Sequence, residues 1–216
     1  MPAKNKFDSF YDIDSRKGDI AILGGSFNPI HNGHIAMAEA AHRQLGLDVV
    51  LMPNKTTYYK ENDVFAPDED RINMLKLVAE EKGYIFYSDL EIERGGVTHT
   101  IDTIRDFKSA DPERTVYFII GGDSLEWIDK WVEAEDLLSM THFITAVRGE
   151  TDREKSRAII HRLSIQYPDS NISLLDMEEI AISSSDIRRR ISENESIDGL
   201  VPDSIKDYIK KNRLYV

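Results

Sequence analysis

Apolar positions along the chain fall into short continuous runs, separated by longer segments in which they recur at helical spacing. Ile20-Ala21-Ile22-Leu23, Val49-Val50-Leu51-Met52, Tyr84-Ile85-Phe86-Tyr87, Val116-Tyr117-Phe118-Ile119-Ile120, His142 to Val147 and Ile172-Ser173-Leu174-Leu175 read as strands. Runs that are apolar at nearly every position, rather than at every second one, predict strands covered on both faces, as in a parallel sheet. Between them, Ile35, Met37, Ala38, Ala41 and Leu45 recur with helical spacing. So do Ile72, Leu75, Leu77 and Val78, in a helix capped by Asp68, and Ile101, Ile104 and Phe107, in a helix led in by Thr98-His99-Thr100. Leu90-Glu91-Ile92 reads as extended chain before Gly95-Gly96. Further helices are predicted from Ser124, over Arg153 to Gln166, over Ser185 to Ile191, and from Pro202 through Ile205, Tyr208 and Ile209. Strands and helices in alternation, joined by right-handed crossovers, predict an α/β fold: a single Rossmann-like parallel-sheet domain over 18–216 with C-terminal helices. Residues 1–17 show no period and read as a polar, partly disordered extension, with docking of Phe7, Phe10 and Tyr11 on the body as the lesser alternative.

Composition narrows the partners. A formal net charge of -12 argues against a general nucleic-acid or anionic-membrane surface while leaving room for a small basic pocket. The absence of cysteine removes disulfides, thiolate catalysis and cysteine metal sites together. No apolar run reaches the length of a membrane helix and the start lacks a signal-peptide core, so a cytoplasmic protein is expected. A homo-oligomer is compatible with all of this.

The chemistry concentrates in Gly24-Gly25-Ser26-Phe27-Asn28-Pro29-Ile30-His31-Asn32-Gly33-His34, which joins the first strand to the first helix. Glycines there let the backbone approach a ligand, and the N–H groups and positive dipole end of a starting helix attract phosphate. His31 and His34 stand at the mouth of that anion site and can donate hydrogen bonds to phosphate oxygens. The string is neither the dinucleotide G-x-G-x-x-G nor a Walker A loop. Zinc is the weaker reading of the pair, with no Cys and no third ligand nearby.

Four other stretches carry candidate groups. Gly121-Gly122-Asp123-Ser124 repeats the strand-glycine-helix arrangement, and Asp123 either accepts ribose hydroxyls or caps its helix. Trp127 and Trp131, four apart on an assumed helix, either stack on a base or pyridine ring or pack in the core. Ile182-Ser183-Ser184-Ser185-Asp186-Ile187-Arg188 runs hydroxyls into a helix with an arginine one turn in; it either gathers an anion or is serine capping beside a solvated arginine face. Lys60 and Arg148 are single cations near strand ends.

In order and spacing these pieces resemble the (H/T)-x-G-H nucleotidylyltransferase superfamily and, more narrowly, the bacterial nicotinate mononucleotide adenylyltransferases, over nearly the whole chain from Gly18. Arg71-Ile72-Asn73-Met74-Leu75, Thr98 to Thr103 and the closing Val201-Pro202 to Leu214-Tyr215 belong to the resemblance. It implies AMP transfer from ATP, with Mg2+, to nicotinate mononucleotide, making deamido-NAD and pyrophosphate. It implies catalytic roles for His31, His34, Lys60 and Arg188. Gly24, Gly25, Ser26, Phe27, Gly121, Asp123, Arg148, Ser183 and Ser184 would join them on ATP, while Asn28, Thr100 and Trp131 would serve the pyridine nucleotide. Magnesium would be held by substrate oxygens and water, without a protein metal cage. One departure is Thr57-Tyr58-Tyr59-Lys60, where many members have Pro-Pro-His-Lys, so that Tyr59 replaces an imidazole. Related acceptors (nicotinamide mononucleotide, phosphopantetheine or a small alcohol phosphate) and a non-catalytic nucleotide sensor are the rival readings.

Overall fold

The computed structural model describes residues 18–55, 65–147, 149–177 and 180–216. Within them, β1 (Ile20–Gly25), β2 (Val49–Pro53), β3 (Ile85–Tyr87), β4 (Val116–Gly121), β5 (His142–Ala146) and β6 (Asn171–Leu175) form one parallel sheet in the order β3-β2-β1-β4-β5-β6. Leu23 lies level with Leu51 on one side and Ile119 on the other. Successive strand residues point to opposite faces, and both faces are covered. Ala21, Leu23, Leu51 and Ile119 feed one core layer, Ile22, Val50, Phe118 and Phe143 the other. That double burial is why the strands read as unbroken apolar runs.

Helices α1 (Asn32–Leu45) and α2 (Asp68–Glu81) cover the first layer. The short α3 (Leu90–Arg94) and α4 (Thr100–Ala110) follow β3, and α5 (Gly122–Leu125), a 3-10 turn Ile128–Lys130 and α6 (Ala134–Met140) follow β4. Of these, α4 and α6 cover the second layer through Ile101, Ile104, Phe107, Leu137 and Leu138. Helix α7 (Gly149–Gln166) joins β5 to β6, and α8 (Ser184–Ser192) and α9 (Asp203–Asn212) close the chain on the first layer. From β1 the chain winds outward one way and from β4 the other, so the two strands meet at a topological switch point, where open α/β sheets bind ligands. Among the described residues no helix is long and apolar enough to cross a membrane.

Four local expectations are corrected. Residues 90–92 are helical, because Ser88 Oγ accepts from Leu90 N, and Glu91 and Arg94 both bind Thr103 on α4. Trp127 and Trp131 do not share a helical face, since α5 ends at Leu125 and the 3-10 turn separates them. Pro67, not Asp68, is the N-cap of α2, and Asp68 instead pairs with Arg71 at 2.6 Å. The inward face of α2 is Arg71, Met74, Leu75 and Val78, with Ile72 and Leu77 only half-buried.

Candidate active site

β1 ends in Gly24-Gly25 and β4 in Gly121, with Gly122 opening α5. A cleft of about 580 Å³ opens at these two strand ends, lined by Gly25, Ser26, Gly121, Gly122 and Asp123, and by the starts of α1 and α8. The paired strand-glycine ends expected from sequence therefore meet in one place. Gly24 is not in the lining. A Cβ there would stand 2.8 Å from Phe118 Cζ, so glycine lets β1 and β4 pack side by side.

At the start of α1, His31 is the N-cap and its Nδ1 accepts from the His34 N–H at 3.3 Å. A neutral His31 so engaged carries its proton on Nε2 and can donate from there. The two imidazoles stack with centroids 3.7 Å apart, and Phe27, wholly buried, meets His34 edge-on at 5.0 Å. A Cβ on Gly33 would come within 3.0 Å of the His31 ring, so this glycine sets the seat of that imidazole. Burial, and next the proximity of His31, hold His34 well below its ordinary pKa of 6.5. His34 is therefore a neutral hydrogen-bonding ring near pH 7, and its buried Nδ1 has no hydrogen-bond partner among the described residues.

That depressed pKa has a consequence for stability. The unfolded chain takes up a proton near pH 6.5 while the folded His34 resists it. The contribution is present in full above that pH and is lost as pH falls toward the lower folded value, with a limiting slope of about 1.4 kcal/mol per pH unit. Denaturant midpoints across mildly acidic pH are expected to fall less steeply in His34→Gln than in the unsubstituted chain; equal slopes would contradict the assignment.

The second motif is tied to the first by hydrogen bonds. Ser183 caps α8 by accepting from Asp186 N at 3.2 Å. Ser184 Oγ donates to Pro29 O at 2.9 Å, and Arg188 Nη1 donates to Asn28 O, also at 2.9 Å. Ser183 and Ser184 line the cleft, whereas Arg188 is not among its lining residues and braces the loop behind the histidines. Asn32 also joins the C-terminal segment, through its N–H to Leu200 O and its Nδ2 to Gly199 O, both at 2.9 Å.

The remaining predicted site residues are dispersed. Asn28 has no exposed surface, and its Oδ1 accepts from Ala66 N at 3.0 Å and Tyr215 OH at 2.9 Å. It holds the loop shape and presents no side chain to the cleft. Thr100 opens α4, and Trp131 packs edge-on to Phe143 at 6.1 Å; neither lines this cleft. The exposed tryptophan is Trp127, at 65%. Lys60, Tyr59 and Arg148 lie outside the described residues, as does the extension 1–17.

Two features were missed by sequence reasoning. One face of α7 contributes Asp152, Lys155, Ser156 and Ile159 to the cleft, a stripe whose spacing was legible but whose orientation was not. Arg71, fully buried, donates from Nη1 to Ser26 O at 2.7 Å and from Nη2 to Asn54 O at 2.9 Å, so it bridges the loops after β1 and β2.

Fold and site together define a nucleotide-binding α/β protein, and a family model described as Cytidylyltransferase-like matches residues 22–190. The relatives narrow that class. A protein of Dehalococcoides mccartyi, named as a nicotinate-nucleotide adenylyltransferase, is 38% identical over 199 residues, covering 90% of this chain and 95% of its own. One of Desulfitobacterium hafniense, with the same name, is 36% identical over 207 residues, covering 94% and 99%. The Plasmodium falciparum nicotinic acid mononucleotide adenylyltransferase complexed with NaAD superposes with a TM-score of 0.75 at 24% identity, covering 92% of this chain and 98% of that one. This last likeness speaks to the fold. The chain belongs to the cytidylyltransferase-like family and, within it, to the nicotinate-nucleotide adenylyltransferases.

Proposed function

We propose that the chain transfers the adenylyl group of ATP to nicotinate mononucleotide, releasing pyrophosphate and forming nicotinate adenine dinucleotide in NAD biosynthesis. The observation that carries this reading is the joining, at the β1/β4 switch point, of the His31/His34 helix start and the Ser183-Ser184 helix start in a single cleft. Two helix N-termini, two imidazoles and two hydroxyls suit a polyphosphate.

The acceptor phosphate is ionised at neutral pH, so no general base is needed to create the nucleophile. One of its oxygens attacks the α-phosphorus, the bond from that phosphorus to the bridging oxygen of the β-phosphate breaks, and pyrophosphate leaves with the electron pair. The protein aligns the groups and spreads the developing charge. His31 and His34 are assigned to the α- and β-phosphate oxygens, Ser183 and Ser184 to the β/γ end, and Asp123 to the ribose hydroxyls. Arg188, seated behind the loop, is assigned a charge contribution to the β/γ end. Lys60 and Arg148 are assigned to ATP, and Thr100, Trp131 and the loop held by Asn28 to the pyridine nucleotide, on the sequence resemblance. Among the described residues no three His, Asp or Glu side chains gather as a metal cage. On the sequence resemblance, magnesium is assigned to the MgATP substrate, coordinated by phosphate oxygens and water. A cytoplasmic setting is part of this reading, and the cysteine-free composition is compatible with a reducing compartment.

The test is pyrophosphate release from MgATP with nicotinate mononucleotide beside nicotinamide mononucleotide. Preference for the acid is expected. Equal or reversed preference would reassign the acceptor, and no release with either would overturn the reading.

A further inference from the structure

We propose that Lys155 positions the nucleotide by screening an acidic wall of the cleft, with Glu126 governing how much of its charge the ligand meets. The inference rests on the nucleotide-transfer reading above. The cleft has two chemically different parts: one carries the histidines, the serines and the helix starts, and the other carries Asp123 and Glu126 from the segment after β4 and Asp152 from α7. Among the described lining residues the one ammonium or guanidinium is that of Lys155, less than a turn beyond Asp152 on α7. Among the described lining residues, three carboxylates against one ammonium give a net negative wall, and the incoming ligand is itself a polyanion.

The ammonium is placed by geometry. Lys155 Nζ donates to Glu126 Oε1, joining α7 to the segment after α5. Glu126 first, and then the charges of Asp152 and Asp123, raise the Lys155 pKa above its ordinary value, so the ammonium persists at any working pH. Both side chains are partly exposed, 57% for Lys155 and 37% for Glu126, and such a pair contributes little to stability. What it changes is the field in the cleft, where low-dielectric walls focus charge.

The two members of the pair then have opposite effects on the nucleotide. Lys155→Gln removes the cation and is expected to weaken ATP binding about three- to tenfold, the scale of one charge acting through partly screened space. Glu126→Gln removes a carboxylate and releases the ammonium, so binding tightens. The double variant restores the original net charge of the described wall and should bind close to the unsubstituted protein. Lys155→Arg should restore affinity, and added salt should compress every difference.

The experiment is calorimetric titration with ATP, without acceptor, on the full chain and these variants, with thermal midpoints alongside. Turnover should show the changes in KM for MgATP and not in kcat. Both single variants weakening binding alike would identify a merely structural pair and overturn the proposal. So would unchanged affinities, or no ATP binding by the unsubstituted protein. If that protein binds ATP but releases no pyrophosphate with nicotinate mononucleotide, the activity reading fails while the binding series still decides the role of Lys155.

Discussion

Replacing His34 by alanine is expected to lower the rate of pyrophosphate release about 100- to 1000-fold, the scale of losing one preorganised donor to charge that develops in the transition state. The fold should survive the change. His34 contributes its backbone N–H, not its side chain, to the cap made by His31 Nδ1, and among the described residues its own buried Nδ1 has no hydrogen-bond partner to lose. The loss should fall on kcat more than on the KM for MgATP, because a neutral imidazole adds little to ground-state attraction for a polyanion and more to the oxygens as charge grows on them. Steady-state kinetics beside a thermal midpoint check this. A loss below about fivefold in kcat/KM with an unchanged midpoint would remove His34 from the chemistry and leave it as packing against Phe27 and His31.

The part of this cleft that was legible, the two helix starts and the glycine strand ends, is local in sequence. Gly24 to His34 and Ile182 to Arg188 are each a continuous string, and a glycine turn entering a helix has the same physical meaning wherever it occurs. Strands were legible for a similar reason, since double burial leaves an apolar run. What local pattern could not supply was the partner across the fold. Asn28 reads as a ligand contact, but its amide is taken by Ala66 and by Tyr215, 187 positions away. The segment 90–94 reads as extended until Thr103, on the next helix, supplies a partner for Glu91 and Arg94. Helical spacing on α7 marks a stripe of Asp152, Lys155 and Ile159 without saying that it turns toward a cleft. The Trp127/Trp131 pairing failed for another reason: a spacing of four has its helical meaning only where the helix continues, and α5 stops at Leu125.

Arg71 is where such distant partnering should cost most when removed. An arginine in a helix reads as a solvated residue, yet this one has no exposed surface and sits on the inner face of α2. Its guanidinium links Asp68 with Ser26 O and Asn54 O, so one side chain fixes the two loops that leave β1 and β2. Arg71→Met keeps much of the apolar stem but strips hydrogen bonds from two backbone carbonyls and one partner from Asp68. Asp68 retains Lys55 at 3.2 Å and partial exposure, which limits the penalty on the carboxylate itself. Breaking one side of a buried charged network typically costs about 3–5 kcal/mol, and for a chain of this size each kcal/mol moves the thermal midpoint by roughly 2–4 °C. A fall of about 10 °C is therefore expected for Arg71→Met. Arg71→Lys should lie between the two, because an ammonium keeps the charge but lacks the planar fork that reaches all three acceptors. Ser26 lines the cleft, so the loop it belongs to should loosen in the same variants and the KM for MgATP should rise with the loss of stability. A midpoint within about 2 °C of the unsubstituted protein in Arg71→Met would show that the two loops hold their shape without the guanidinium.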